Sequence, residues 1–282
     1  MPPLGKHALG ITFTRDGRRK DCYHARKMHA PAKPPIPLET LLLAYRNGIF
    51  PMSDGREDEQ VYWVEPRERA IIPLDGFRCS KSLRRVLRSE RFALTCDEDF
   101  DAVIEACAAP REDHPESWIS QPIIDSYRAL HRAGHAHSIE CWQSGELVGG
   151  LYGVAFDQVF CGESMFSRAD NASKVALAGL VALMKRAGYR LLDCQFMTDH
   201  LASLGAVALP QAKYLELLAA ARGQPGMTLP DAYSAACSAA GAGSGSGVGA
   251  AVDDGVGADD RVERGKVPPL GKLIAQSFTQ TS

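Results

Sequence analysis

Apolar positions fall into helical spacing in several stretches. Leu38 to Arg46 reads as a helix that Gly48 stops and Pro51 keeps from resuming. The run around Lys81–Arg88 places Leu83 and Val86–Leu87 on one side, and "DEDFDAVIEACAA" turns Phe100, Val103, Ile104 and Cys107 inward. Ser120 caps a further helix with Pro122 in its first turn, an apolar face of Ile123, Ile124, Tyr127 and Leu130, and an end at Gly134. Asn171 or Ser173 opens another, running to Arg186 and stopped by Gly188. "DHLASLG" and "QAKYLELLAAAR" read as helical too.

Strand patterns lie between these segments. "VYWVEPRERAIIPL" gives two short strands broken by Pro66. "AHSIECWQ" and "LVGGLYGVAF" are joined by Ser144-Gly145-Glu146 as a hairpin. "QVFCGE" and "YRLLDCQF" flank the 171–186 helix, a strand–helix–strand step that implies a parallel pair and an α/β class. Residues 1–35 lack periodicity and read as a loosely ordered extension. Residues 223–282, with the glycine-rich 235–260 stretch, read as a flexible tail too poor in apolar area to offset chain entropy. Residues 36–95 and 96–222 are then a small first domain and a larger second one.

Composition narrows the classes. Of 282 residues, 45% are hydrophobic, and 32 Lys and Arg against 34 Asp and Glu give a net charge of −2. A nucleic-acid contact must therefore be a local patch. No apolar run is long enough for a membrane helix, and the first residues lack a signal-peptide core. The eight Cys form no CxxC pair and fit free thiols of a reducing cytoplasm.

Four constellations are candidates for chemistry. The glycines of 241–249 follow no strand, which speaks against a dinucleotide loop. His131, His135, His137 and Cys141 straddle a helix end without metal-ligand spacing, so no metal is expected. Lys81, Arg84, Arg85 and Arg88 recur at i, i+3, i+4 and i+7 as a cationic stripe, either a phosphate contact or a solvated face. Finally, strand alternation puts Asp193 and Gln195 on one face and Leu192 and Cys194 on the other, with an unpaired buried carboxylate costly unless backbone groups, Lys174 or Arg168 match it. Gly162 leaves room for a ligand beside Glu163, and Met165 and Phe166 suit either core or an apolar guest.

The motifs "GIFPM", "HAHSIECW", "LVGGLYGV", "FCGESMFSR", "NASK", "LLDCQ" and "DHLASLGA" together resemble the leucyl/phenylalanyl-tRNA–protein transferase family, over about Leu38 to Arg222. The resemblance implies an acetyltransferase-like (GNAT) second domain behind a smaller α+β one. It implies a cytoplasmic enzyme that moves Leu or Phe from charged tRNA to the α-amine of proteins beginning with Arg or Lys, marking them for N-degron degradation. No cofactor is implied, and the monomer is the expected state. The catalytic residues implied are Asp193 and Gln195, with Glu163 as a further acid. Asp193 would steady the developing ammonium and orient Gln195, whose amide oxygen would hold the amine. The aminoacyl pocket implied includes Leu151, Met165, Leu180 and Leu192 beside Gly162. Trp63 and Trp118 would hold the 3′ adenosine, with the basic stripe on the tRNA backbone. An acyl-CoA-dependent N-acetyltransferase is the alternative, although no [RQ]xxGx[GA] pyrophosphate loop occurs. A non-enzymatic RNA-binding module is a further one.

Overall fold

The computed structural model describes residues 35–110, 117–243 and 270–278. Among them, α1 (Leu38–Arg46) buries Leu41, Leu42 and Tyr45, and the chain turns at Gly48 into a two-stranded ribbon of β1 (Phe50–Met52) and β2 (Tyr62–Val64). There follow β3 (Glu68–Ile72), α2 (Lys81–Arg88), β4 (Ala93–Cys96), α3 (Phe100–Ala108), α4 (Gln121–Arg132), β5 (Ala136–Gln143), β6 (Glu146–Phe156), β7 (Val159–Ser167) and α5 (Ala172–Ala187). β8 (Leu191–Gln195), α6 (Asp199–Ser203), β9 (Val207–Pro210) and α7 (Gln211–Ala220) complete the central layer and its cover. Two more helices, α8 (Leu229–Gly243) and α9 (Gly271–Ser277), lie beyond it.

The result is a mixed α/β fold. Its seven-stranded sheet has the order β4-β5-β6-β7-β8-β3-β9, antiparallel throughout except for the parallel pair β7–β8. Helix α5 supplies the crossover between the two parallel strands. One face carries α5, α2, α8 and α9 over a core that includes Leu180, Leu192 and Ile274. The other carries α1, α3, α4 and α7 over Tyr45, Tyr127, Tyr152 and Tyr214.

Several sequence expectations need correction. The boundary at residue 95 runs through the sheet, because β3 inserts between β8 and β9 and β4 forms an edge. The expected tail is helical at both described stretches. Leu229, Ala232 and Ala236 of α8 are buried, and Thr228 caps that helix by accepting a bond from Asp231 N at 3.2 Å. Leu270, Ile274 and Ala275 of the α9 segment are buried as well, and a Cβ on Gly271 would lie 2.1 Å from Leu87 O. Small residues here permit close helix packing rather than freedom. Residues 1–34, 244–269 and 279–282 of the expected extension and tail lie outside the described residues. Ser120 and Asn171 do stand at the N-caps of α4 and α5, as expected, but neither caps its helix through its side chain. The short strands β1, β4 and β9 carried too little pattern to be expected.

Candidate active site

The strands β7 and β8 pair over only three positions, Val159↔Leu191, Phe160↔Leu192 and Cys161↔Asp193, and then separate. β7 bends at that point. Its register against β6 slips, with Gly153 opposite Gly162 and Tyr152 opposite Ser164, so Glu163 is the extra residue of a bulge. Only glycine fits opposite: a Cβ on Gly153 would lie 2.2 Å from Cys161 O.

A cavity of about 280 Å³ occupies the gap. Gly162, Glu163, Ser164 and Met165 all line it, as four consecutive residues of a fully paired strand would not. Leu192, Cys194 and Gln195 close the β8 side. Leu151, Leu177, Leu180 and Leu201 make the wall apolar. All five residues expected for an aminoacyl pocket thus share one cavity. A Cβ on Gly162 would meet only Asp193 O at 3.5 Å, so glycine is not required by packing and its bareness keeps space open.

Glu163 is buried among neutral donors. Tyr45 and Gln195 Nε2 donate to its Oε1 at 2.8 and 2.9 Å, Tyr127 donates to Oε2 at 3.0 Å, and the two tyrosine hydroxyls also touch. Burial outweighs these bonds and pushes its pKa up to about 7.

Asp193 is matched differently. Arg69 donates to it through Nε, at 2.9 and 3.1 Å, and through a terminal nitrogen at 2.6 Å, with both side chains fully buried. The guanidinium lies 4.7 Å from the Phe50 ring centroid and 4.5 Å from that of Tyr214, and it donates to Gly48 O at 2.9 Å. Burial works against the Arg69 cation, but the ion pair prevails and raises its pKa. Tyr214 and Gln195 N donate to the same carboxylate, at 3.0 and 2.8 Å.

Sequence reasoning missed Arg69, Tyr45 and Tyr214, and the partners considered for Asp193, Lys174 and Arg168, are not used. The shared face for Asp193 and Gln195 also needs correction. Asp193 does not line the cavity, whereas Gln195 does so alongside Leu192 and Cys194. The two-residue alternation fails because Gln195, at φ 61°, curls around the Asp193 carboxylate. Asp193 therefore has no direct path to an ammonium in the cavity.

The remaining candidates are dispersed. Trp118 lines the cavity, but Trp63 stands exposed on the β1–β2 ribbon, whose Met52 reaches the cavity. Lys81, Arg85 and Arg88 are exposed on α2, while Arg84 is half-buried and donates to Phe278 O at 3.4 Å. His137 pairs with Asp97 at 2.6 Å and His131 bonds Ala136 O at 2.8 Å.

Residues 36–67 and 71–219 match the profiles of the N-terminal domain and of the main domain of leucyl/phenylalanyl-tRNA protein transferases. A protein of that name from Novosphingobium aromaticivorans is 55% identical over 255 residues, covering 88% of this chain and 97% of the relative. One from Zymomonas mobilis is 59% identical over 64% of this chain and 68% of the relative, and one from Rhizorhabdus wittichii 56% identical over 66% and 75%.

Proposed function

The chain belongs to the leucyl/phenylalanyl-tRNA–protein transferase family and so moves leucine or phenylalanine from charged tRNA to protein, and from that premise we propose how its site divides the work. Family membership displaces the acyl-CoA and RNA-binding alternatives. The acceptor is the α-amine of a protein that begins with Arg or Lys, and the product is marked for N-degron degradation in the cytoplasm. Because Tyr45, Tyr127, Glu163 and Gln195 all belong to one polypeptide, a monomer suffices for the reaction.

The aminoacyl side chain enters the apolar cavity between Leu151, Met165, Leu180 and Leu192. Burying a side chain of that size contributes roughly 1.5–3 kcal/mol, which favours Leu and Phe over small residues. The ester is already activated, so neither a nucleophilic side chain nor a cofactor is needed. The acceptor nitrogen bonds to the carbonyl carbon, the bond to the ribose 3′-oxygen breaks, and the amine proton is passed on, finally restoring a hydroxyl on the ribose. Glu163 takes that proton. Its pKa near 7 suits a general base at neutral pH. Gln195 spends its amide nitrogen on Glu163, which leaves the amide oxygen to accept from the amine. Asp193 acts through Gln195 and does not touch substrate. Trp118 and Trp63 stack on the tRNA terminus, and Lys81, Arg85 and Arg88 meet its phosphates, with Arg84 anchored behind them. The parting of β7 and β8 around a ligand cavity supports the acetyltransferase-like (GNAT) reading of the sheet.

What carries the assignment is the coexistence in one cavity of an apolar wall and a carboxylate poised near neutrality. Gly162→Val tests it. Valine suits a strand and its Cβ makes only an ordinary contact, with Asp193 O at 3.5 Å, so thermal stability should hold while the cavity narrows. Transfer of labelled Leu and Phe to an Arg-initiated peptide should fall by about tenfold or more. Undiminished transfer by a folded variant would remove the cavity from the reaction. Replacing Lys81, Arg85 and Arg88 together by Ala should raise KM for charged tRNA and flatten its salt dependence, and an unchanged salt slope would return the stripe to solvent.

A further inference from the structure

The aminoacyl cavity has a neighbour. A second cavity of about 560 Å³ lies against the start of α5 and shares Met165, Thr198 and His200 with the first. Its character differs, because Ser167, Arg168 and Ser173 supply polar atoms and a cation. Of the two shared polar side chains, Thr198 is already engaged, accepting from Leu201 N at 3.2 Å. His200 Nε2 is buried and has no hydrogen-bond partner among the described residues. An imidazole nitrogen held that way costs free energy unless a ligand completes it.

The covalent order of the substrate explains the placement. In aminoacyl-tRNA the terminal ribose stands between the aminoacyl ester on its 3′-oxygen and the phosphate on its 5′ side. If the side chain fills the apolar cavity, a strand leaving through the cation-lined cavity must pass its ribose across the shared wall. The side chain that lines both cavities and has a ring nitrogen without a partner among the described residues is that of His200.

We propose that His200 holds the 2′-hydroxyl of the tRNA's terminal ribose, at the wall where the aminoacyl cavity opens into the second, cation-lined cavity. The assignment rests on the reading that the first cavity takes the aminoacyl side chain. It makes His200 a binding residue that fixes the ribose beside the departing 3′-oxygen. Burial and then Lys174 lower the His200 pKa, so its ring is neutral at pH 7 and can accept from or donate to a hydroxyl.

The test is a chemical double-mutant cycle. Single-turnover transfer to an Arg-initiated peptide is measured from Leu-tRNA and from a 2′-deoxy-terminated tRNA chemically leucylated on its 3′-oxygen. The wild-type enzyme should slow by about tenfold on the deoxy substrate. His200→Ala should slow by about as much on the ordinary substrate and lose no more than about twofold further on the deoxy one. His200→Gln, which keeps a hydrogen-bonding nitrogen, should regain part of the dependence on the hydroxyl. Equal wild-type rates on both substrates would overturn the proposal, and that result depends on no variant's folding. A full deoxy penalty persisting in folded His200→Ala would overturn it too. Failure of the underlying reading shows separately, as undiminished transfer by Gly162→Val on ordinary Leu-tRNA.

Discussion

Glu163 and Asp193 sit on neighbouring strands in the same core, yet their surroundings differ. Asp193 faces a guanidinium held between two aromatic rings, and its charge is matched inside the protein. Glu163 faces two phenols and an amide, all neutral, and burial raises its pKa to about 7. A buried carboxylate with a cation beside it is built to hold shape. One with neutral donors only can gain and lose a proton near neutral pH, which is what aminolysis asks of it.

The largest expected effect breaks the Glu163 side of the contrast. Glu163→Gln should lower kcat by about 10²–10⁴ while the protein stays folded, and the rise in wild-type rate as pH passes through about 7 should vanish. Only the inflection of the acceptor amine should remain in the pH–rate profile. A variant with near wild-type turnover would place the proton elsewhere.

Next comes the Asp193 side. Arg69→Met or Asp193→Ala leaves one buried charge without its partner and should cost about 3–5 kcal/mol in urea unfolding. Removing both, as Arg69→Met with Asp193→Leu, should cost less than the two single changes summed. Additive losses would mean that the pair is not coupled.

A third effect has a sign that the first two lack. The ordinary pKa of a Glu is 4.5, and that of folded Glu163 is about 7. Between those pH values the unfolded chain releases a proton that the folded chain keeps, so stability from this group is greatest below 4.5 and falls as pH rises through 7. Glu163→Gln should therefore gain stability relative to wild type across that window, on the order of 1–3 kcal/mol. A constant difference between pH 4 and 8 would show that Glu163 is not shifted. The smallest effect comes from Tyr45→Phe or Tyr127→Phe. Each removes a donor to the ionised form, so the kinetic inflection should move above 7 and the rate at neutral pH fall by a few-fold, about one hydrogen bond's worth.

Much of this was readable from sequence wherever the signal was local. The helices over 38–46, 100–108 and 121–132 follow from apolar spacing, and the Ser144–Gly145 turn and the β7–α5–β8 crossover from turn residues and element order. Of the five pocket residues, Gly162 and Met165 stood out from their own chemistry, and Leu151, Leu180 and Leu192 came from the family resemblance. Arg69 was not readable, because nothing in "ERAII" says that its strand will lie beside one 124 positions later. The Gln195 backbone at φ 61° was equally hidden, since alternation assumes the strand continues. Tyr127 was expected on an apolar face, where its ring does pack; its hydroxyl's reach to Glu163 depends on a bulge in another strand. The α8 helix did leave a trace in "TLPD", a capping sequence masked by small residues that read as a linker.

The insertion of β3 between β8 and β9 bears on how the polypeptide can be divided. A backbone cut between Ile72 and Ala93 would yield two fragments, one bearing the guanidinium and the other the carboxylate. Neither fragment could neutralise its own half of the pair, and mixed together they would recover it in only one alignment. Residues 35–72 are thus less an appendage than the matching half of a lock, and reassembly from pieces would be selective for that one fit.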